Sequence, residues 1–406
     1  MSVETVQTGS FSWPEQWQRV SLADAGRWMS GGTPSTSNGA YWDGDIPWIS
    51  GASLKQFRIT DSERRVTRLG AENGSRLVDK GAVLFIVRGM SLKSEFRIGV
   101  TQREVAFGQD CKALVPDENI DPFYLAYAMR VLTPTILSMV EETSHGTGRL
   151  DTNRLNALEI GVPPLPEQRD IVAAHEAFER RVGALERELA KLATLRRGIV
   201  DEQATGPDAR LGDLLTESPK NGYSASEVHE WTGMLVLGLG CLTNDGFVPR
   251  QLKRIPKSPL AERFRLADGD LLMSRANTRE LVGLAARFRD VGQPCSYPDL
   301  MMRLRPDEGR CLTAYLELVL GSSRVRRDVQ AGARGTSESM VKIGAGTVES
   351  LSIPLPTIAE QQKAVDAVTS VDRRSATVRV LLDKLRVTQR AVVEDLLSGR
   401  SRVNRT

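Results

Sequence analysis

Basic side chains in turn-rich stretches are the residues of this chain best suited to bind a charged ligand. Arg88, Lys93 and Arg97 follow one apolar run, and Arg275 and Arg279 follow a similar run in the second half. Arginine and lysine pair with phosphate groups, and arginine can also donate two hydrogen bonds to guanine. The alternative for each one is a solvated surface residue. Recurrence after similar runs, with Arg88 matched to Arg275, favours a binding role.

Further polar residues could take part in the same binding. Gln109 and Asn277 carry the amide group that matches adenine. Thr33 lies in the Gly-Gly-Thr-Pro stretch 31–34, which could also be a plain turn. The remaining candidates are suited to phosphate contacts and are Lys55, Arg149, Lys220 and Arg334. Together these residue types predict local contacts to nucleic acid.

Residues suited to catalysis or metal binding do not form a recognisable set. His145, His175 and His229 have no partner at metal-ligand spacing, and the four scattered cysteines form no Cys-x-x-Cys pair. The sequence contains no glycine-rich phosphate loop and no common hydrolase motif. We therefore expect no catalytic residue and no metal in this chain. A degenerate nuclease site at Asp110, in the sequence Asp-Cys-Lys, is the enzymatic alternative.

Composition limits the class of protein. The chain has 406 residues, of which 40% are hydrophobic and 26% charged, as is typical of a globular protein with two or three domains. A net charge of +3 indicates that any nucleic-acid surface is local. No apolar run is long enough to span a membrane and no signal peptide follows Met1, so we expect a cytoplasmic protein without membrane association.

Two long charged segments predict helices at 163–203 and 354–399. Apolar residues recur every seven positions in both, at Ile171, Phe178, Leu185, Leu192 and Ile199 and at Ala364, Val371, Val378, Leu385 and Val392. This spacing predicts that the two helices form a coiled coil with each other. Amphipathic helices that each pack on their own domain are the alternative. Thr357 and Glu360 form a capping box at the start of the second helix.

The two halves of the chain repeat each other. Residues 20–28 align with 209–217, and 80–88 with 268–275, at shifts that stay between 187 and 193 residues. Ordered matches of this kind indicate a duplication. The predicted architecture is α+β, with two pseudo-repeated globular domains at 1–162 and 208–353. A two-fold related pair of domains requires that the two helices run antiparallel.

Six stretches complete the pattern: GGTPS (31–35), YWDGDIPWIS (41–50), KGAVLFIVRG (80–89), HGTGRLDTNRLNALEIGVPPLPEQR (145–169), RGTSESM (334–340) and IPLPTIAEQQ (353–362). Their order and duplication resemble the specificity subunit of Type I restriction–modification systems. Such subunits often have Thr-Thr-Gln in the loop after each recognition domain. The chain instead has Gly-Thr-Gly-Arg at 146–149 and Gly-Thr-Ser-Glu at 335–338.

The resemblance implies a non-catalytic protein whose two target-recognition domains each bind one half of a bipartite double-stranded DNA sequence. The helices would set the spacing and dock two methyltransferase (modification) subunits, and restriction/translocase subunits would join the complex. S-adenosylmethionine, ATP and Mg²⁺ are expected on those partners and no cofactor in this chain. The predicted partner-binding residues open the two helices and are Glu167, Gln168, Glu360 and Gln361. A coiled-coil scaffold without DNA specificity is the alternative.

Overall fold

The computed structural model describes residues 13–144, 146–335 and 340–401, which form two compact units of mixed α and β structure. Unit 1 contains the described residues up to Ala184 and those from Leu382 onwards. Unit 2 contains Leu185–Leu381. Among the described residues, no helix is both long enough and apolar enough to cross a membrane.

Unit 1 is built from short strands around one main sheet. Its strands are β1 Gln18–Ser21, β2 Gly26–Ser30, β3 Trp42–Ile49, β4 Arg58–Ile59, β5 Arg65–Val66, β6 Leu77–Val78, β7 Val83–Ile86, β8 Arg88–Gly89, β9 Ile98–Thr101, β10 Val105–Phe107, β11 Cys111–Pro116, β12 Val140–Glu142, β13 Gly148–Leu150 and β14 Glu159–Val162. The main sheet has the order β2-β11-β7-β9-β4, and a second sheet has the order β5-β3-β10-β6. The smaller sheets are β12-β13-β8 and β1-β14.

The helices of unit 1 pack around its sheets. They are α1 Arg68–Glu72, α2 Pro122–Val131, α3 Thr133–Ser138, α4 Thr152–Asn156 and the long α5 Leu165–Gln203, which belongs to unit 1 as far as Ala184. Asp121 caps α2 by accepting hydrogen bonds from two backbone N–H groups, and Pro122 occupies the first helical position. The apolar face of α2 packs on β7, which is buried along its whole length. Thus α2 lies on the main sheet, and α1 lies on the second sheet.

Unit 2 repeats this arrangement with fewer and shorter strands. They are β15 Asp208–Arg210, β16 Lys220–Asn221, β17 Leu235–Leu237, β18 Leu242–Thr243, β19 Gly246–Phe247, β20 Leu252–Arg254, β21 Leu271–Ser274, β22 Ala276–Asn277, β23 Ala285–Arg287, β24 Cys295–Ser296, β25 Met301–Leu304, β26 Val341–Lys342 and β27 Ser352–Pro354. The larger sheets have the orders β16-β25-β21-β23 and β20-β17-β24. The pairs β15-β27, β18-β19 and β22-β26 complete the unit.

The helices of unit 2 also occupy corresponding places. They are α6 Pro259–Arg263, α7 Thr313–Leu320, α8 Ser323–Gly332, α9 Ala345–Glu349 and the long α10 Ile358–Leu397, which belongs to unit 2 as far as Leu381. The buried tyrosine of α7, Tyr315, donates to the carbonyl of Pro354, as Tyr124 of α2 donates to that of Gly161. The two units therefore share one scaffold, which confirms the predicted duplication.

The long helices form the predicted antiparallel coiled coil. Every predicted seam position of α5 and α10 is buried or half-buried. In unit 2, Glu188 pairs with Arg374 at 2.6 Å and Arg196 with Asp372 at 2.8 Å, so later residues of α5 meet earlier residues of α10. Thr357 and Glu360 form the capping box, which confirms that prediction. The helices begin at 165 and 358, slightly later than predicted.

Candidate nucleic-acid interface

Arg88 and Arg149 face each other on the small sheet of unit 1. In β13, Gly148 and Leu150 are buried, so Arg149 between them points to solvent. The strand register puts Arg149 directly opposite Arg88 of β8, which is also exposed. Residues opposite each other share one face of a sheet, with Cβ atoms about 4.5–5.5 Å apart. We call Arg88 and Arg149 the unit 1 basic pair.

Like charges in this arrangement destabilise a sheet unless another group neutralises them. Glu141 of β12 lies opposite Arg149 on the other side. Within the part of the chain that the structure describes, neither arginine side chain of the unit 1 basic pair forms an ion pair or a hydrogen bond. Two exposed guanidinium groups in this state are suited to bind the phosphate oxygens of a ligand.

Unit 2 has a corresponding basic pair, formed by Arg334 and Lys342. Their backbones exchange two hydrogen bonds, with N···O distances of 2.9 and 2.8 Å, and both residues are exposed. Lys342 was not among the predicted site residues, although it occupies the place of Arg149 in the repeat. Thr336 and Glu338, in the loop where the sequence departs from Thr-Thr-Gln, lie outside the described residues, as does His145.

Arg149 and Lys342 occupy equivalent positions between two neighbouring strands. The second positive charge of the pair lies on one neighbouring strand in unit 1 and on the other side in unit 2. In unit 1 it is Arg88 of β8, whereas the residue opposite Lys342 on the equivalent strand of unit 2 is Ala276. In unit 2 it is Arg334, at the place that Glu141 occupies in unit 1. The two units therefore present different charge patterns on the same scaffold.

The predicted match between Arg88 and Arg275 is wrong by one residue. The backbone carbonyl of Arg275 accepts a hydrogen bond from Ile343, and in unit 1 the same bond joins Val87 to Leu150. Arg275 is thus the counterpart of Val87. It is half-buried, whereas Arg88 is exposed. Because side chains alternate along a strand, a one-residue error in alignment assigns a residue to the wrong face.

Lys93 and Arg97, two predicted basic residues in the connection from β8 to β9, each bond to other groups of unit 1. Lys93 forms an ion pair with Glu142 at 2.7 Å. Arg97 pairs with Glu95 at 2.8 Å and donates to the backbone carbonyl of Gly51 at 3.1 Å. These bonds give the connection a defined shape and compete with ligand contacts at both cations.

Other predicted residues of unit 1 lie around the second sheet. The Thr33 hydroxyl donates to the Gln109 side-chain oxygen at 2.6 Å, so these two candidates are brought together. Lys55 is exposed at a cavity of about 550 Å³. Arg64 also lines this cavity and stacks on Trp42, with 3.9 Å from the guanidinium carbon to the ring centroid.

In unit 2, the predicted residues are not gathered into one cluster. Lys220 forms an ion pair with Glu217, and its hydrogen bond lowers the pKa of that carboxyl group. Asn277 accepts a hydrogen bond from the backbone N–H of Thr278 at 2.9 Å. Arg279 donates to the backbone carbonyl of Gln330 at 3.1 Å and thereby holds its own loop on α8.

Gln168 and Gln361 are fully buried, which corrects their prediction as partner-binding residues. The Gln168 oxygen accepts from the N–H of Asp121 at 2.8 Å, and its amide nitrogen donates to the carbonyls of Asn119 and Pro163. The corresponding partners of Gln361 are Leu312, Arg310 and Pro356. Each glutamine therefore joins its long helix to the preceding domain. A Pro-x-x-x-x-Gln spacing at both helix starts was the only sequence signal.

Glu167 and Glu360 lie in the first turns of the same helices, where a negative charge favours the helix dipole. Glu360 is exposed, and hydrogen bonds from Thr357 lower the pKa of its carboxyl group. Glu167 is half-buried. Their partner-binding role remains a prediction.

Groups suited to catalysis are few in the described part of the chain. No cluster of three or more metal-ligating residues occurs there. Lys112 of the Asp-Cys-Lys sequence donates to the Ser30 hydroxyl at 2.9 Å. Burial raises the pKa of the Cys111, Cys295 and Cys311 thiols to about 12, so these thiols are protonated and unreactive near neutral pH.

Comparison with known proteins shows which proteins this chain is similar to. Residues 14–194 match the family model described as Type I restriction modification DNA specificity domain. The chain is 27% identical over 184 residues to the Type I restriction enzyme EcoR124I/EcoR124II specificity subunit of Escherichia coli, covering 45% of each protein. It is 19% identical over 420 residues to the MjaVIII specificity subunit of Methanocaldococcus jannaschii, covering 96% of the chain and 94% of that protein.

Residues 14–194 therefore match the Type I specificity-subunit family, and the chain as a whole is similar to specificity subunits. The alignments to the E. coli relative and to the M. jannaschii MjaIX specificity subunit span less than half the length of those relatives, at 45% and 38%.

Solved structures share the fold of the whole chain. The S subunit from M. genitalium matches with a TM-score of 0.54 at 13% identity, over 96% of this chain and 97% of that one. A chain from a type I R-M system structure on complex assembly and conformational transition matches with a TM-score of 0.61 at 18% identity, over 96% and 100%. These likenesses confirm the predicted fold of two similar domains and an antiparallel helix pair.

Proposed function

We propose that this chain is the DNA specificity subunit of a Type I restriction–modification complex. The observation that carries the proposal is the basic pair of each unit, Arg88 with Arg149 and Arg334 with Lys342, in which Arg149 and Lys342 are at equivalent places. Two similar domains with different charge patterns suit two different DNA half-sites. In this proposal, residues 1–162 and 208–353 are the two target-recognition domains.

Phosphate contacts from the basic pairs would position each domain without reading sequence. The loops beside the pairs would supply the base contacts. In unit 1 these loops carry Lys93, Arg97, Gln109 and Thr33, and in unit 2 Asn277 and Arg279. Because the net charge is only +3, binding would depend on these local contacts and on their release of counterions.

We propose that the chemistry belongs to partner subunits and that this chain is not catalytic. Two methyltransferase subunits would transfer methyl groups from S-adenosylmethionine, and restriction subunits would use ATP and Mg²⁺. Exposed apolar residues of the long helices support a docking role. In unit 2 these include Leu195, Val380 and Leu381, with 51%, 54% and 43% exposure. Exposed apolar surface of this kind often marks a site where a partner protein binds.

The proposal is tested by selecting duplexes from a random-sequence DNA library with the full chain and the modification subunits encoded beside it. The proposal expects two short constant blocks separated by a fixed gap. Replacing residues 1–162 with those of a relative should change one block and leave the other. Equal binding to all sequences would instead favour the scaffold alternative. Cleavage by the purified chain that Asp110→Asn abolishes would favour the nuclease alternative.

A further inference from the structure

The loop Asn277–Gly283 follows directly from the strand that pairs with Lys342. It connects β22 to β23 of the β16-β25-β21-β23 sheet, at the same place where Met90–Arg97 connects β8 to β9 of the main sheet of unit 1. The two loops differ in sequence while the flanking strands correspond. A loop that differs on a shared scaffold, beside a basic pair, is well placed to contact bases.

Arg326 of α8 holds this loop. Its guanidinium donates to the backbone carbonyls of Val282 at 2.7 Å and Glu280 at 2.8 Å. Arg326 is half-buried, and burial lowers its pKa below the usual value. A desolvated charge is retained where it satisfies groups that would otherwise be unpaired. The two bonds therefore fix the second half of the loop at two points.

Packing against α8 adds to this support. Gly283 has φ of +71°, and a Cβ atom there would lie 2.2 Å from the Cγ1 atom of Val329. Only glycine allows the loop to approach α8 this closely. Val282 is fully buried, whereas Glu280 is exposed. The loop thus has an anchored side on α8 and an exposed tip.

Unit 1 has no counterpart of this support among its described residues. Its helix α3, Thr133–Ser138, has the sequence TPTILS, which contains no arginine. The corresponding loop is held instead by Arg97 on the carbonyl of Gly51 and by Lys93 on Glu142. A change at Arg326 therefore acts on the second recognition domain alone.

We propose that Arg326 is a positioning residue for sequence discrimination: it sets the DNA half-site preference of the second domain by fixing the loop Asn277–Gly283. This inference rests on the proposed function. Arg326 acts through the loop and contacts no DNA itself. Its loss leaves the Val282 and Glu280 carbonyls without this donor and loosens the second half of the loop. Arg279 still bonds to the Gln330 carbonyl. Arg334 and Lys342 would still contact phosphate.

The test uses the full chain with its modification subunits and a random-sequence duplex library. Arg326→Met should retain one block of the wild-type target and lose discrimination in the other by about tenfold per base pair. The salt dependence of binding to a non-specific duplex should not change, because no phosphate contact is removed. Arg327→Met is the matched control, since Arg327 lies exposed on the same helix and, among the described residues, bonds only to Ser323 of that helix.

Arg326→Lys keeps the positive charge and can reach only one of the two carbonyls. If Arg326→Met does not fold, Arg326→Lys tests the inference in its place. Arg326→Lys should weaken discrimination in the same block as Arg326→Met. Wild-type discrimination in both blocks for these variants would overturn the inference. Equal loss in both blocks would also overturn it, because that result indicates a general loss of folding. A wild-type complex that selects no bipartite sequence would refute the proposed function itself.

Discussion

Arg149 lies directly opposite Arg88 on neighbouring antiparallel strands, and both side chains are exposed. Lys342 lies opposite Arg334 in the same way in the second unit. Protein stability alone does not favour two such pairs, because like charges at this separation repel. An anionic ligand at each pair would account for them, as the phosphates of double-stranded DNA would in the proposed function.

Replacing Arg149 or Lys342 should therefore weaken DNA binding without changing which DNA sequence is preferred. Arg149→Ala and Lys342→Ala should each reduce affinity for cognate and non-specific duplexes to a similar extent. Each should lower the slope of log affinity against log salt by about 1. Arg76→Ala, which removes an exposed arginine outside both pairs, is the control. Fluorescence anisotropy across a salt series measures the slope, and an unchanged slope would contradict a phosphate contact.

The buried glutamines should act on stability. Gln168→Ala leaves the N–H of Asp121 and the carbonyls of Asn119 and Pro163 unpaired, which should cost about 3 kcal/mol in free energy of unfolding. Arg169→Ala, at the exposed neighbouring position, should change it by less than about 0.5 kcal/mol. Urea unfolding followed by circular dichroism measures both. A neutral Gln168→Ala would show that the helix is joined to its domain by other contacts.

His175 should make stability depend on pH. Its ring stacks on Tyr127 with 3.8 Å between centroids, and burial lowers its pKa from 6.5 to about 4. Because the unfolded chain binds the proton more tightly, this contribution is complete above pH 6.5 and is lost as pH falls towards 4. The difference corresponds to about 3 kcal/mol.

Urea unfolding of wild type and His175→Phe between pH 7.5 and 4.5 separates this effect from that of other groups. The wild type should lose more free energy of unfolding over this range than the variant. Parallel profiles would show that His175 does not titrate in this way.

The end of α10 should stabilise unit 1. Leu396 and Leu397 are buried in the core cluster that also contains Trp17 and Val20. Leu396→Ala should cost about 2–4 kcal/mol in free energy of unfolding, because it leaves a cavity. Val387→Ala, on the same helix and 68% exposed, should cost less than about 0.5 kcal/mol. Similar losses for both would contradict this packing.

Regular features of the chain could be predicted from its sequence. The heptad residues from Ile171 to Ile199 define the seam, and Thr357 with Glu360 defines a helix start, because both depend on spacing along one element. The duplication gave the α+β architecture, since the repeated strands kept their order. Spacing along one element and the order of repeated segments can both be determined from the sequence alone.

The functional surface depends on pairing between distant strands, which the sequence records poorly. Lys342 was missed because its importance comes from Arg334 opposite it, and Arg275 was mismatched because a single-residue shift in the repeat is hard to detect. Gln168 looked like a surface residue because the sequence does not show which carbonyls surround it. Arg326 was missed since only the folded loop brings its two acceptors together.

Modified-base sequencing of a genome that carries this chain with the neighbouring methyltransferase gene tests the central claim most directly. We expect one methylated motif of two short blocks separated by a fixed gap, and we expect that motif to disappear when this chain is deleted. Arg149→Ala together with Lys342→Ala should reduce the extent of methylation at the same motif. A motif that survives deletion of the chain, or no bipartite motif at all, would contradict the assignment of DNA specificity to this protein.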